Sequence, residues 1–83
     1  MPYKSIEEAK QLRIPRHSLQ TILVVRKGNN IKTIKEWLHK HKYHTTHRIY
    51  GQHYRFMQEF PIKSAHFYSK KINKDITFVF QEY

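Results

Sequence analysis

The fold is decided by residues 19–41, LQTILVVRKGNNIKTIKEWLHKH, in which an apolar run is followed by a turn and then by an amphipathic segment. The run at 19–25 is nearly continuous and rich in β-branched residues, which is typical of a strand buried on both faces or central in a sheet. Gly28-Asn29-Asn30 ends the run, and either asparagine can cap a following helix. A strand followed by a helix is therefore the first unit of the fold.

The segment from Ile31 to about His41 predicts a helix with two different sides. Ile31, Ile34 and Leu38 are spaced three and four residues apart, as on the apolar face of a helix. Trp37 flanks this stripe and is expected at the edge of the core rather than as a stacking platform. The opposite side is basic and holds Lys32, Lys35, His39 and Lys42.

Two further strands are predicted at residues 45–50 and 53–59, on either side of Gly51-Gln52. A two-residue loop with glycine first suits a type II′ turn, which sets the register of the hairpin. That register separates an apolar face, with Ile49 and Tyr54, from a basic and aromatic face. The expected pairs are Tyr50 with His53, Ile49 with Tyr54, Arg48 with Arg55, and His47 with Phe56.

The remaining segments complete a single small domain. Residues 76–80 alternate as a strand, whereas residues 62–72 fit either a strand or a short helix. The expected fold is an α+β domain over residues 19–83, with the order β-α-β-β-(β)-β, a mostly antiparallel sheet and one helix packed on a face. A helix at 62–70 would instead produce the ferredoxin-like order βαββαβ.

Residues 1–18 are expected to form a loosely attached basic arm. Ser5 and Glu8 have the spacing of a capping box, which predicts a short helix from Ile6 to Leu12. Lys10, Arg13 and Arg16 could contact phosphate from this arm.

The charge of the chain is strongly unbalanced, with 16 Lys and Arg against 6 Asp and Glu and a formal net charge of +10. This exceeds the magnitude of about 2–8 that is usual for a small soluble domain, and a field of that size attracts polyanions. Nucleic acid, DNA or RNA, is therefore the expected partner. An acidic protein is the alternative, because charge alone does not separate the two.

Several other classes of protein are not expected from this composition. Six carboxylates scattered along the sequence are few for hydrolysis or phosphoryl transfer, which need facing or clustered acids, so the chain is expected not to be an enzyme. The chain has no cysteine, so disulfides, cysteine-ligated zinc and thiol catalysis are excluded. Neither a membrane helix nor a secretory signal is predicted. The expected location is an intracellular, reducing compartment of a host cell or a virion.

The seven histidines do not predict a metal site. His39 and His41 are two residues apart and so point about 200° from each other on a helix. His41, His44 and His47 straddle the end of that helix, and no cysteine or nearby aspartate completes a ligand shell. No metal and no cofactor are expected.

The most specific candidate site is the outward face of the central hairpin. Arg48 directly opposite Arg55 is destabilising, so we expect an anion to lie between them. Arginine forks match phosphate oxygens, and the neighbouring Tyr50 and His53 could stack on bases or form hydrogen bonds. The basic helix side would extend this positive track. The complete predicted site is Arg48, Arg55, Tyr50, His53, Lys32, Lys35 and Lys42.

Short motifs also place the chain near a known group of proteins. These motifs are Trp37-Leu38, His41-Lys42-Tyr43 and Tyr54-Arg55-Phe56-Met57-Gln58, lying between strands at 19–25 and 76–80. In this order they resemble short basic proteins encoded by tailed phages and large double-stranded DNA viruses. Relatives usually have glycine in place of Lys42. The resemblance implies a viral origin and supplies no active site.

The sequence thus predicts a non-enzymatic nucleic-acid-binding module that contacts mainly phosphates, with little sequence preference. The alternative is a small viral structural or assembly protein whose basic face binds an acidic partner protein. A homodimer through an uncovered edge, such as the last strand, is also open.

Overall fold

A five-stranded antiparallel sheet with a helix on one face forms the body of the protein in the computed structural model, which describes residues 3–83. The elements in chain order are α1 (Ile6–Gln11), β1 (His17–Val25), α2 (Ile31–Lys40), β2 (His47–Tyr50), β3 (His53–Met57), β4 (His66–Lys71) and β5 (Ile76–Glu82). The strand order is β2-β3-β1-β5-β4. The predicted α+β class is confirmed. No helix among residues 3–83 is long and apolar enough to cross a membrane.

The centre of the sheet is β1, as its apolar run predicts. Ile22 and Val24, on one face of β1, are buried beneath Ile34 and Leu38 of α2. Phe56 of β3 completes this cluster, and partly buried side chains of β5 pack against it. Burial of these side chains holds α2 on this face of the sheet, because docking removes their apolar surface from water.

A shift in register at Gln20 keeps the start of β1 on the same core. The pairing between β1 and β5 slips by one residue between Leu19 and Thr21, as in a β-bulge. Leu19 therefore packs against the same cluster as Ile22, although three positions separate them. The displaced Gln20 uses its side-chain amide to donate to the carbonyl oxygen of Glu59 at 3.0 Å.

Helix α2 begins where an asparagine cap was predicted. The Asn30 Oδ1 accepts the backbone N–H groups of Lys32 and Thr33 at 2.8 and 3.4 Å. The helix ends at Lys40, and Lys42 then adopts a left-handed backbone with φ 63°. Glycine is the residue that normally occupies such a position after a helix, because it has no Cβ to clash.

The β2–β3 hairpin has the predicted register at all four cross-strand pairs. Gly51 has φ 58°, and Gln52 is not among the residues with positive φ. This is the φ pattern of the predicted type II′ turn. The turn therefore determines which side chains of the two strands face each other.

Both hairpin strands are shorter than the predicted ranges 45–50 and 53–59. The side chain of Gln58 accepts the N–H of His44 at 2.8 Å and donates to its carbonyl at 3.0 Å, which replaces strand pairing there. Ile49 lies on the core side of β2 as expected, but it is 60% exposed. The cluster beneath α2 draws on β1, β3 and β5, so the edge strand β2 lies beyond it.

The ambiguous residues 62–72 contain a strand, β4, which pairs with β5 at one edge of the sheet. The ferredoxin-like alternative is therefore wrong, because it requires a helix in this segment. The expectation that the last strand is an uncovered edge is also wrong. Strand β5 lies between β1 and β4, and the two edges are β2 and β4.

The N-terminal segment packs onto the domain and is not the loose arm expected from its composition. Helix α1 has the predicted capping box between Ser5 and Glu8. Ala9 and Ile14 are buried against Ile62 in a second, smaller hydrophobic cluster. Apolar contacts thus hold this segment in place.

No structural boundary follows residue 18, because β1 already begins at His17. The side chain of Arg16 donates to the carbonyl oxygen of Tyr83 at 3.1 Å, which joins the residue before β1 to the last residue of the chain. Residues 1 and 2 of the expected arm lie outside the described residues.

Gln81 is a fully buried polar residue that links β5 to the loop before β4. Its Oε1 accepts the N–H of Ile62 at 3.0 Å, and its Nε2 donates to the carbonyl of Phe60 at 2.9 Å. Buried polar groups are stable only when they are paired in this way. One side-chain amide therefore ties the second hydrophobic cluster, through Ile62, to β5.

We predict that Gln81→Met lowers the free energy of unfolding by about 1–3 kcal/mol, because the N–H of Ile62 is left buried without an acceptor. Urea unfolding followed by circular dichroism measures this change. The control is Gln11→Met at an exposed position of α1, which should alter the free energy of unfolding by less than about 0.5 kcal/mol. Equal unfolding midpoints for the two variants would contradict the role of Gln81.

We predict that Lys42→Gly raises the free energy of unfolding by about 0.5–1 kcal/mol, because relief of the left-handed strain exceeds the added freedom of the unfolded chain. Glu36→Gly is the control at an exposed position inside the helix, where glycine should destabilise by up to about 1 kcal/mol. Urea midpoints that move in the same direction for both variants would refute this account.

Candidate functional site

The predicted hairpin site lies on the face of the sheet opposite α2. Side chains alternate between the two faces of a strand, so the neighbours of Ile22 and Phe56 point away from the helix. We call the part of this face that neither helix covers the open face. It consists of Leu23, Val25, Arg48, Tyr50, His53, Arg55, Met57, Phe67, Ser69, Lys71, Thr77 and Val79. None of these residues is acidic, and neither hydrophobic cluster includes any of them.

One row of the open face crosses all five strands. The cross-strand partners run from Arg48 to Arg55, then to Leu23, Thr77 and Lys71. Neighbouring strands lie about 4.8 Å apart, so the row is roughly 19 Å long. It has cations at both ends and an apolar side chain at its centre.

The arginine pair at one end of the row has no carboxylate partner. Within residues 3–83, the single ion pair joins Lys4 to Glu8. A depression of about 120 Å³ is lined by both Arg48 and Arg55. Two guanidinium groups beside an open depression can hold a shared anion, with up to two hydrogen bonds from each fork.

An aromatic row lies beside the arginines, as the register predicts. Tyr50 is opposite His53, and the next residue across the sheet is Val25. Tyr50 is 63% exposed, whereas His53 and Val25 are half-buried. The phenol ring is therefore available for contact with a ligand that also reaches the arginines.

The predicted lysines of α2 lie on the other side of the sheet. Lys32 and Lys35 line a groove of about 520 Å³ together with Glu36, with His39 and with His47 of β2. Since α2 packs on the core face, the edge strand β2 separates this groove from the open face. Lys42 lies beyond the end of α2 and does not line the groove. The seven predicted residues therefore do not form one continuous track.

The histidines are dispersed over the fold. Among residues 3–83, no three His, Asp or Glu side chains are placed to hold one metal ion. His17 contacts the rings of Tyr68 and Phe80, and His47 contacts Tyr54 on the core side. These histidines contribute aromatic packing to the core face.

Trp37 lies at the edge of the core, as predicted. It packs against the rings of His41 and Tyr43. It also lines a cavity of about 410 Å³ beside Asp75 and Ile76, near the turn between β4 and β5. Its described lining contains no Lys, Arg or His, so this cavity is separate from the cationic surfaces.

Sequence reasoning missed the central and far parts of the open face. Leu23 and Val25 belong to the apolar run of β1. Because that run is apolar on both faces of the strand, the sequence already contained the signal for an apolar patch on the open face. With α2 on one face only, both side chains remain half-buried. Lys71 could not be placed while residues 62–72 had two interpretations.

Comparisons of the chain with protein-family models, with curated proteins and with solved structures find no match. The chemistry of the open face is therefore the observation from which a function is inferred. That face is cationic at both ends, apolar at its centre and free of carboxylates.

We predict that Arg48→Gln raises the free energy of unfolding of the ligand-free protein by about 0.2–1 kcal/mol at low salt, because a like-charged cross-strand pair is removed. Urea unfolding at low and high ionic strength measures the effect. The gain in stability should vanish near 1 M salt, where the Debye length is only about 3 Å and the repulsion is screened. A gain that persists at high salt, or a loss of stability at low salt, would contradict repulsion between the arginines.

Proposed function

We propose that this protein is a non-enzymatic module that binds nucleic acid through its phosphates on the open face, with little sequence preference. The observation that carries the proposal is the position of Arg48 directly opposite Arg55 on a surface without carboxylates. A like-charged pair costs stability in the empty protein. A phosphate between the guanidinium groups would turn this repulsion into two favourable contacts.

The distribution of charge supports contact with a chain of phosphates rather than with one small anion. Lys71 lies at the other end of the same row, roughly 19 Å away if strands are about 4.8 Å apart. A second surface with an excess of positive charge, the groove lined by Lys32, Lys35 and Glu36, lies around the edge strand β2. An extended polyanion can reach more than one of these places, whereas a single phosphate cannot.

Phosphate contacts also explain the expected low sequence preference. They fix the position of a nucleic acid but carry no sequence information. The exposed Lys and Arg side chains have the flexible reach that suits a regular backbone.

The arrangement of the acids supports a function without catalysis. Glu7 and Glu8 are adjacent on α1 and so do not share a helix face. The other four carboxylates are Glu36 on α2, Glu59 after β3, Asp75 in the β4–β5 turn and Glu82 at the end of β5. These four sit on separate elements, and hydrolytic or phosphoryl-transfer sites need acids that face each other or cluster. The resemblance to short basic phage and viral proteins supports a viral origin.

We predict salt-dependent binding that requires the arginine pair. If about five phosphates on duplex are neutralised, log K should fall with log salt with a slope near −4.5, or roughly 500-fold between 50 and 200 mM salt. Fluorescence anisotropy with labelled DNA and RNA measures this slope. The Arg48→Ala/Arg55→Ala double variant should bind weakly at every salt concentration and show a shallower slope.

The control is Lys40→Ala/Lys63→Ala, which also removes two positive charges, from exposed positions at the end of α2 and in the loop before β4. Nucleic acid should also outcompete a polyglutamate of equal charge density. If both double variants lose affinity equally and polyglutamate competes as well as DNA, the charge is generic. The alternative, a viral assembly protein whose basic face binds an acidic partner protein, would then be favoured.

A further inference from the structure

The centre of the open face is an aliphatic strip that nothing in the fold covers. Leu23 and Val25 of β1 and Val79 of β5 are half-buried on this face. On the other face of the same strand, Ile22 and Val24 are buried beneath α2. Strand β1 thus has the composition of a strand that is packed on both faces, but only one of its faces is packed against a helix.

The strip lies between cations at both ends of the sheet. In the row Arg48–Arg55–Leu23–Thr77–Lys71, the apolar side chain stands between the arginines and the lysine. The next row places Tyr50 and His53 beside Val25. A ligand lying across the strands would therefore meet phosphate-binding groups at both ends and apolar or aromatic groups between them.

We infer, on the basis of the proposed function, that the ligand of the open face is single-stranded nucleic acid lying across the strands, with unpaired bases on the aliphatic strip and on Tyr50. Base–aromatic stacking tolerates any sequence because every base has a π face. The phosphates on either side of these bases lie against Arg48 and Arg55 and against Lys71.

Charge complementarity favours this ligand over a second copy of the protein. Two open faces pressed together would bury Arg48, Arg55 and Lys71 of both copies in one interface, and the open face has no carboxylate to pair with them. Like charges across an interface cost several kcal/mol. A flat polyanion with apolar rings has the complementary chemistry.

The same surface favours a single strand over a duplex. In a duplex the base faces are stacked inside, so only phosphates, sugars and groove edges are exposed. Such a ligand would leave the aliphatic strip without an apolar partner. Open sheets in RNA-binding proteins hold about two or three stacked bases from unpaired strands.

The first test compares three DNA probes of equal length: a single strand, the same strand built entirely from abasic sites, and a duplex. The variant is Tyr50→Ala, and the matched control is Tyr3→Ala, because the two tyrosines are 63% and 61% exposed. We expect Tyr50→Ala to weaken single-strand binding by about 5- to 150-fold, the range that corresponds to loss of one base–aromatic stack. Its affinity for the abasic strand and for the duplex, and its salt slope, should match the wild type.

The second test uses two adjacent lysines of β4 that point to opposite faces of the sheet. Lys71 is on the open face, whereas Lys70 pairs with Phe78 on the core face. Lys71→Ala should reduce the slope of log K against log salt for a single strand by about 0.7, the contribution of one phosphate contact. Lys70→Ala should leave the slope unchanged.

Two results would overturn the inference, and they differ in whether the proposed function survives. Equal affinity for the single strand, the abasic strand and the duplex, with Tyr50→Ala no weaker than Tyr3→Ala, would overturn it. The proposed function would survive that result if binding still required Arg48 and Arg55. Failure of every probe to outcompete polyglutamate would overturn the proposed function, and the inference with it, in favour of an acidic protein ligand.

Discussion

A single short helix packs on the core face of a five-stranded sheet, and the rest of the structure depends on how little of the sheet this helix can cover. Helix α2 has ten residues, or about 15 Å of length, against a sheet roughly 19 Å across. It buries Ile34 and Leu38 on Ile22, Val24 and Phe56, which fixes one face as the core. Helix α1 and its neighbouring loop cover only one end of the other face. Most of that face must remain in contact with solvent or with a ligand.

The turn at Gly51 places the two arginines of the proposed site opposite each other on this uncovered face. Because side chains alternate along a strand, burial of Phe56 under the helix directs Arg55 to the opposite side. The turn then brings Arg48 into line with Arg55. The pairing of Arg48 with Arg55 lowers the stability of the protein without a ligand. The core and the turn nevertheless fix the two arginines opposite each other. Such local costs are expected where a surface has a binding role.

Local signals were enough to predict the elements that carry their own pattern. The β-branched run of β1, the spacing of Ile34 and Leu38 in α2, and the glycine turn of the hairpin are each readable within a few residues. The register of Arg48 and Arg55 followed from the turn alone. Strand β4 and the docking of Ala9 and Ile14 were not readable, because they depend on distant partners in β5 and at Ile62. The separation of Lys32 from Arg48 likewise required knowing which face the helix occupies.

The two edges of the sheet bear on how the protein behaves when many copies are crowded together. The edge strand β2 has four residues and exposes Arg48, and the edge strand β4 exposes Lys70 and Lys71. Short length and cationic side chains are the means by which natural sheets discourage the addition of foreign strands. Copies concentrated side by side would meet at edges that repel one another. The charge on which the proposed function rests is thus also expected to oppose growth of this small sheet into fibres.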